Sequence, residues 1–315
     1  MMECINCRGK EIVKRGKQVS KSGSKQIYYC KSCNKRFVDS SLKGKHFDSQ
    51  IILNALSFYN LGNSFEESAK LVNRQFKANI SKSTIHNWLA EFKEFCSFYR
   101  IREKALSHGG GLVASKLFRH KGLTYNFAYH KAKLDLFGEQ NLKNYLKNLN
   151  NDFPHEIFER DARCSEIKIK VDILKREKNS YAGRLAEFVL NGISDNSERH
   201  SILEKFMLVN DTATLATEVP IWFWEKRLGG ICGHIDILQK RFGKIYILDF
   251  KPEAASENLL HVSSQLYLYA LGLSFRTGIK LNRIRCAWFD ADHYFEFEPA
   301  KAKVDWSSAK IKIKN

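Results

Sequence analysis

The sequence predicts a mixed α/β chain built from three successive parts, and three patterns lead to that prediction. Two closely spaced cysteine pairs stand within the first 33 residues, on either side of strand-like runs. Three apolar runs at helical spacing follow over residues 45–104. From Ile231 onward, two alternating runs flank a short turn, with helical runs before and after them. We therefore expect a small metal-bound hairpin unit, a helical unit and an α/β unit.

The composition is typical of folded units that meet a polyanion. The chain has 315 residues, 43% of them hydrophobic, which is enough for two or three cores. Lysine and arginine number 52 against 34 acidic residues, a formal net charge of +18. This surplus favours a nucleic acid partner, with an anionic membrane surface as the lesser alternative. No apolar run could span a bilayer and no secretory signal is present, so we expect an intracellular, cytoplasmic protein without membrane contact.

The two cysteine pairs, Cys4–Cys7 and Cys30–Cys33, predict a zinc site. Two residues between thiolates let one turn present both sulfurs, and two such turns complete the tetrahedral site of structural Zn²⁺. Residues 11–30 predict a hairpin with a Lys-Ser-Gly-Ser turn at Lys21–Ser24. A segment this short buries little apolar surface, so the metal should supply much of its folding free energy. Four free surface thiols are the alternative.

Charge and motif together favour DNA for this unit. Residues 1–50 hold 12 Lys/Arg and 4 Asp/Glu, a field suited to phosphate contacts. The pattern CINC…QIYYCKSCNKRFVD resembles the N-terminal zinc ribbon of many insertion-sequence transposases. The resemblance covers about residues 1–40, within a unit that we bound at residues 1–42.

Residues 45–104 predict a helix-turn-helix unit. Asp48 can cap the first helix, which ends at Gly62. Asn63 or Ser64 can cap the second helix, and Ser81 or Ser83 the third. A recognition helix reads bases from its first turns, and its groove-facing residues here would be Lys82, Thr84, His86 and Asn87. The order of ribbon and helices also resembles those transposases. A plain three-helix packing or dimerisation unit is the alternative.

Residues 105–180 carry no decisive pattern. His108–Gly111 is typical of a linker. Four residues could be imagined as a second metal site, but their irregular spacing favours ordinary packing or surface roles: His120, His130, His155 and Cys164.

Asp236 and Asp249 are predicted to face each other across an antiparallel hairpin. The run ICGHIDILQKRFGKIYILDFKP centres its turn on Phe242-Gly243, so the numbers of opposed residues sum to 485. Opposed carboxylates repel each other and are tolerated when a divalent cation lies between them. Period two places Lys251 on the face of Asp249, and His234 on that of Asp236. The pattern predicts an Mg²⁺ or Mn²⁺ site beside an ammonium group, and an exposed hairpin with solvated charges is the alternative.

Motifs around this hairpin occur in a recognisable order. They are G-x-x-x-E from Gly183, then E-V-P, G-H-I-D, I-L-D-F-K, and Q-x-x-x-Y from Gln265. The order resembles the PD-(D/E)XK nuclease superfamily, in its RecB-like branch, over about residues 180–300. The resemblance implies an α/β nuclease core, with a mixed central sheet flanked by helices, within a domain that we bound at residues 112–300.

The resemblance also implies metal ligands. Asp236 matches the first metal-binding acid of the family, and Asp249 and Lys251 match its acidic-x-Lys pair. The backbone carbonyl of Phe250 is an extra ligand in that scheme. Such an ion lowers the pKa of an attacking water. The lysine would orient that water or stabilise the pentavalent phosphorus.

Other positions follow from the same resemblance. Gln265 and Tyr269 match the helix that braces the site and contacts DNA. Glu187 stands where many RecB-like enzymes carry a histidine metal ligand, and a carboxylate there remains a hard ligand. Two roles remain open for Glu218: contact with the metal site, or an ion pair with a basic neighbour.

Some RecB-like nucleases carry an iron–sulfur cluster held by one cysteine before the core and three after it. No cysteine follows Cys286 here, so we expect no cluster. The scattered cysteines should instead be buried apolar residues: Cys96, Cys164, Cys232 and Cys286. The runs NRIRCAWFD and HYFEFEP predict two strands at sheet edges, and the basic tail at residues 301–315 should lie along DNA or remain disordered.

These features lead us to expect a metal-dependent DNA nuclease that hydrolyses phosphodiester bonds. A built-in targeting module favours an endonuclease. No G-x-x-x-x-G-K-[ST] motif is present, so unwinding would need a helicase, and a recombination or transposition partner is also open. The setting would be mobile elements, recombination, repair or defence. The alternatives are a non-catalytic DNA-binding regulator or mobile-element accessory protein, RNA as the substrate, and action as a homodimer.

Overall fold

The alternating residues after the first cysteine pair form the predicted hairpin. A computed structural model describes residues 4–311 except 5, 8, 21–22, 39–41, 43–44, 46, 108, 110, 152, 192 and 194–197. Strands β1 (Ile12–Ser20), β2 (Gly23–Cys30) and β3 (Arg36–Val38) form an antiparallel sheet in that order. β1 and β2 pair from Ile12 opposite Cys30 to Ser20 opposite Gly23. The first half of the predicted turn, residues 21–22, lies outside the described residues.

Three capped helices follow, as predicted: α1 (Ser49–Asn60), α2 (Phe65–Phe76) and α3 (Lys82–Glu91). The Asp48 carboxylate accepts a hydrogen bond from the Gln50 amide at 3.0 Å. Ser64 and Glu67 form a capping box on α2, and the Ser81 hydroxyl accepts from the Thr84 amide. These side chains satisfy amide groups that the first turn of a helix leaves without partners.

Strands and helices alternate over residues 97–311. The strands are β4 (Val113–His120), β5 (Leu123–His130), β6 (Ala162–Arg163), β7 (Ile167–Asp172), β8 (Arg176–Glu177), β9 (Thr214–Glu225), β10 (Gly229–Arg241), β11 (Lys244–Phe250), β12 (Ile284–Phe289), β13 (Tyr294–Phe297) and β14 (Lys303–Ile311). The helices are α4 (Arg102–Leu106), α5 (Lys131–Phe137), α6 (Gln140–Asn151), α7 (His155–Arg160), α8 (Tyr181–Leu190), α9 (Arg199–Asn210) and α10 (Leu259–Thr277). Short 3₁₀ turns lie at Ser97–Arg100, Cys164–Glu166, Leu281–Arg283 and Pro299–Lys301.

A large mixed sheet forms the centre of the α/β part. Its strand order is β4-β5-β9-β10-β11-β12-β13-β8, and β6 pairs with β10 beside that path. β11 and β12 are parallel because the long helix α10 returns the chain between them. The two strands predicted from NRIRCAWFD and HYFEFEP are present as β12 and β13, but their predicted place at the sheet edge is wrong. β13 pairs with both β12 and β8, and β8 has only two residues, too few to leave an alternating pattern in the sequence.

Apolar cores lie on both faces of this sheet. Ile247 of β11 packs in one core with Leu266 and Leu273 of α10. The next residue, Leu248, packs in the other with Leu203 of α9. Because neighbouring strand residues point to opposite faces, helices cover the sheet on both sides.

The three-helix unit belongs to the second of these cores. Ile52 and Leu56 of α1 are fully buried in the same cluster as Leu203 of α9. The Asn60 amide donates to the side-chain oxygen of Asn210 at 2.7 Å, and both residues are fully buried. α1 is therefore fixed to α9 by apolar packing and by a buried hydrogen bond.

A buried lysine closes the same, C-terminal end of α9. Lys133 is fully buried, and its ammonium donates to the backbone carbonyls of Leu208, Asp211 and Thr214. Burial lowers the pKa of Lys133 to about 7. A cation at a helix C-terminus satisfies carbonyls that have no partner in the helix and interacts favourably with the helix dipole.

The basic C-terminal segment is a strand over most of its length. β14 pairs with β7 in a separate two-stranded antiparallel sheet, with Val304 opposite Val171. Residues 303–311 are thus ordered as a strand, and that the tail lies along DNA remains a prediction. Residues 312–315 lie outside the described part. The segment His108–Gly111, for which the sequence predicts a linker, is described only at residues 109 and 111.

The buried histidine His130 should make stability depend on pH. Burial and the nearby Lys133 charge lower the pKa of His130 to about 2. The neutral ring therefore favours the folded state above about pH 6.5, the pKa of an unfolded histidine, and that stability is lost as the pH falls towards 2. His130→Asn keeps an acceptor for the Lys133 amide but does not titrate. Unfolding measured between pH 7 and 4 should show a shallower loss of stability in His130→Asn than in wild type.

The expected difference in slope is up to about 1.4 kcal/mol per pH unit. The matched control is His155→Asn, because His155 is exposed, and its slope should equal that of wild type. Equal slopes in all three proteins would contradict the prediction.

Candidate functional site

The four N-terminal cysteines converge on one point. The sulfur atoms of Cys4 and Cys33 lie 3.6 Å apart, as do those of Cys7 and Cys30. All four sulfurs lie within 4.8 Å of one another. A tetrahedron of sulfurs around Zn²⁺ at about 2.3 Å has edges of about 3.8 Å. The four cysteines can therefore hold a metal ion such as zinc.

Backbone turns aim these sulfurs. The Cys4 amide donates to the Gly9 carbonyl and the Cys30 amide to the Lys35 carbonyl, each at 3.0 Å. The Asn6 amide donates to the Cys4 sulfur at 3.4 Å. The two knuckles predicted from the C-x-x-C spacing are thus present.

The β10–β11 hairpin has the register that the sequence predicts. Ile237 pairs with Leu248 and Arg241 with Lys244, so opposed numbers sum to 485. The turn residues Phe242 and Gly243 have φ of +49° and +71°, as a two-residue hairpin turn of this kind requires. One step beyond Ile237 and Leu248, the Asp249 side chain hydrogen-bonds that of Asp236.

Glu218 faces Asp236 from the other neighbouring strand. Val219 pairs with Ile235 and Thr217 with Ile237, which leaves Glu218 opposite Asp236. Ligand atoms of Glu218, His234 and Asp236 all lie within 4.8 Å of one another. Glu218 has φ of +49°, a left-handed conformation that costs a residue with a side chain about 1–2 kcal/mol. Such strain inside a strand is typical of a functional position.

Helix α9 adds two residues that the sequence analysis misses, His200 and Glu204. They stand four residues apart and so share one helix face. His200 Nδ1 lies 4.0 Å from Asp236 Oδ2, and ligand atoms of His200, Glu204 and Asp236 form a second close group. Glu204 is buried, and its Oε1 has no hydrogen-bond partner among the described residues.

Glu187, the helix residue that the sequence analysis assigns to the metal, takes no part in these groups. Glu187 lies half-buried on α8, one helix earlier than α9. The carboxylates that act most strongly on Asp236 are Asp249, Glu218 and Glu204. The H-x-x-x-E spacing of His200 and Glu204 is the sequence signal for this helix, and a metal-binding role for Glu187 remains a prediction.

Burial and mutual repulsion hold these acids away from their usual ionisation. Burial and then the Asp249 charge raise the pKa of Asp236 well above its usual range. Burial and then the Glu218 charge do the same for the pKa of Glu204. Carboxylates in this state need a proton or a cation between them.

Lys251 provides one positive charge at the site. Its ammonium lies 2.9 Å from Asp249 Oδ2. Burial opposes the charge, but Asp249 and Asp236 raise the pKa of Lys251 above its usual value. Phe250 lies between these two residues at the end of β11, with its ring edge against His200 at a centroid distance of 4.9 Å. That the Phe250 carbonyl is a ligand remains a prediction.

Helix α10 packs two polar side chains behind the acids. The Gln265 amide donates to the Tyr269 hydroxyl at 2.8 Å, and both residues are buried. Burial and then Asp236 raise the pKa of Tyr269 well above its usual value. Gly233 of the G-H-I-D motif makes room for the ring, because a Cβ there would lie 2.8 Å from Tyr269 Cε1.

The donor set fits a hard divalent ion. It consists of carboxylate oxygens with a histidine at the rim, which suits Mg²⁺ or Mn²⁺. The buried Oε1 of Glu204, which lacks a partner among the described residues, is the kind of atom that a cation would satisfy.

The other residues named from the sequence lie elsewhere. On α3, Lys82, His86 and Asn87 are exposed and Thr84 is half-buried behind the Ser81 cap. The cysteines expected in the interior are all buried: Cys96, Cys164, Cys232 and Cys286. His120 and His130 are also buried, and His155 is exposed.

Comparisons with protein-family models, with curated proteins and with solved structures find no match to this chain. Among the residues that the structure describes, no helix is both long enough and apolar enough to cross a bilayer.

The cysteine site should carry metal in the purified protein. We expect about one zinc ion per chain by elemental analysis, since four sulfurs complete one tetrahedral site. Cys30→Ser should lose most of that zinc and lower the stability of the N-terminal unit. Cys96→Ser is the matched control, because Cys96 is buried far along the chain from the cluster, and it should keep its zinc. Equal zinc in both variants would argue against the site.

Proposed function

We propose that this protein is a metal-dependent DNA endonuclease that hydrolyses phosphodiester bonds. The observation that carries the proposal is the gathering of Asp236, Asp249 and Lys251 with Glu204 and Glu218. The acids come from β9, β10, β11 and α9. Three of them are buried and Glu218 is half-buried, and their mutual repulsion opposes this gathering unless a cation or proton offsets it.

The chain's residues divide the work between them. A divalent ion held by Asp236, Asp249 and Glu204 would lower the pKa of a water and bear charge on the phosphate. Lys251, positively charged beside Asp249, can orient that water or stabilise charge on the phosphorus. Gln265 and Tyr269 hold the back of the site, where their mutual hydrogen bond fixes both side chains.

The motif order supports a nuclease of the PD-(D/E)XK superfamily in its RecB-like branch. The acidic-x-Lys pair lies at the end of a strand and next to the first acid, as that resemblance implies. One assignment differs: the helix ligands are His200 and Glu204 of α9 in place of Glu187. A histidine at this point agrees with the ligand that many RecB-like enzymes carry.

The N-terminal parts support DNA as the substrate. The chain carries a formal charge of +18, and residues 1–50 hold 12 basic against 4 acidic residues. The first turns of α3 expose Lys82, His86 and Asn87 for contact with a groove. A cysteine-bound zinc ribbon followed by such helices resembles the DNA-binding end of insertion-sequence transposases. We therefore place the targeting function in residues 1–104.

A non-catalytic regulator explains the core less well. A core kept for packing gains nothing from buried carboxylates that repel one another, or from the strained backbone of Glu218. Neutral or apolar residues would pack the same positions at lower cost.

Cleavage should require the α9 acid rather than the α8 acid. We expect Glu204→Gln and Asp249→Asn to cut labelled duplex, single-stranded or branched DNA at least about 100-fold more slowly than wild type with Mg²⁺ or Mn²⁺. Glu187→Gln is the matched control and should stay within about threefold, since it removes one charge from a neighbouring helix.

Two results would count against this scheme. No cleavage of any substrate by wild type would end the enzyme proposal. If Glu187→Gln loses cleavage and Glu204→Gln keeps it, the metal ligand from a helix is Glu187 of α8.

Duplex binding should depend on the start of α3. Lys82→Ala combined with Asn87→Ala should weaken binding of duplex DNA about tenfold. The slope of log affinity against log salt concentration should fall by about the value of one phosphate contact. The matched control is Lys93→Ala, because Lys93 is exposed but follows the end of α3. Fluorescence anisotropy at several salt concentrations measures both quantities, and an unchanged affinity would exclude α3 as the recognition helix.

A further inference from the structure

A second polar cavity lies away from the acid cluster, between α6, the C-terminal end of α10 and strand β9. Its volume is about 640 Å³. Side-chain amides line one wall, and an indole, a phenol and a guanidinium line the other. None of the residues assigned above to metal or to DNA contributes to this lining.

The amide wall is one face of α6. Asn141, Asn144, Asn148 and Asn151 recur at steps of three, four and three residues, so they share a helix face. Each presents both donors and an acceptor. The Asn144 oxygen accepts from Gln140 at 2.9 Å, while the other three amides have no protein partner among the described residues. All four side chains are exposed to solvent, so helix α6 offers an array of accessible hydrogen-bonding groups.

The opposite wall is a stack of flat groups. The Arg276 guanidinium lies 4.0 Å from the ring centroid of Trp222 and 5.8 Å from that of Tyr145. Its Nε is buried without a hydrogen-bond partner among the described residues. The indole, the phenol and the guanidinium are all groups on which a base can stack.

The cavity is linked to the acid cluster through β9. The Tyr145 hydroxyl donates to the Pro220 carbonyl at 2.5 Å. Pro220 pairs with His234, whose ring contacts Glu218 at the cluster. Trp222 lies four residues beyond Glu218, about 13 Å along an extended strand. The cavity and the cluster are therefore separated by a distance that a few nucleotides of one strand can span.

We propose that this cavity binds an unpaired nucleobase of the strand that the acid cluster cleaves, and the proposal rests on the function proposed above. A base needs a flat surface for stacking and a mixture of donors and acceptors at its edge, which are the two walls found here. A phosphate group would find one cation here, Arg276, and would make no use of the aromatic rings. An apolar ligand would make no use of the exposed asparagine amides.

Two consequences follow for the substrate. It carries a single-stranded segment beside the cleaved bond, because a paired base could not enter the cavity. Its binding also depends on the bases themselves and not on backbone charge alone.

The experiment measures binding in the Asp249→Asn background without added divalent ions. Two labelled oligonucleotides of equal length are compared by anisotropy, a natural single strand and one whose bases are replaced by abasic residues. We expect Asn144→Ala combined with Asn148→Ala, and separately Arg276→Gln, to weaken binding of the natural strand about tenfold. Binding of the abasic strand, which has the same charge, should not change. Asn150→Ala is the matched control on the same helix.

The outcomes separate this inference from the proposed function. Equal loss for both strands, or no loss for either, would overturn the base-binding site. Base-dependent binding that these variants abolish would support it, even if wild-type protein cut no DNA, in which case the nuclease proposal alone would fail. If wild type cuts DNA and the variants bind the natural strand as tightly as wild type does, the base-binding inference alone would fail.

Discussion

Repulsion between buried carboxylates is the constraint around which this structure is arranged. Asp236 lies between Glu218 and Asp249 on its two neighbouring strands, and Glu204 approaches it from α9. Burial removes the water that would screen these charges, so the ionised carboxylates repel one another strongly. A proton or a cation among them relieves that repulsion. The sheet cannot relax, because each acid belongs to a strand or helix with its own core packing. The strain at Glu218 and the buried ion pair of Asp249 and Lys251 are consequences of holding that arrangement.

Such an arrangement needs firm support at a distance from the charges. Helix α9 carries His200 and Glu204 near its start, and polar contacts anchor it at its C-terminal end. Asn210 bonds to Asn60 of α1, and Lys133 satisfies carbonyls at its C-terminal end. These contacts are polar, buried and directional, so they fix the rotation of the helix better than apolar packing does. The face that α9 presents to Asp236 is thereby set from its far end.

Local features such as hairpin register and cysteine turns could be predicted from the sequence, but the packing of elements distant in sequence could not. The pairing of Asp236 with Asp249 was readable because the alternation around Phe242-Gly243 fixes a two-residue turn, and a turn fixes the register. The cysteine knuckles were readable because ligand spacing is local. Glu204 was missed, since nothing in its neighbourhood records that α9 packs beside β10. The conformation of Glu218 was equally hidden, because a left-handed glutamate has no local signature as a glycine turn does.

Sharing one apolar core between α1 and α9 limits how this protein could have been assembled or could be re-engineered. Domains joined by a linker can be exchanged freely, as the two folds remain stable when parted. Here, removal of the three helices would uncover Leu203 and leave Asn210 without its buried partner. Recombination between related genes at the boundary near residue 104 would therefore tend to give insoluble products. Under the proposed function, a change of target sequence would have to arise by substitutions on α3 and not by replacement of the whole unit.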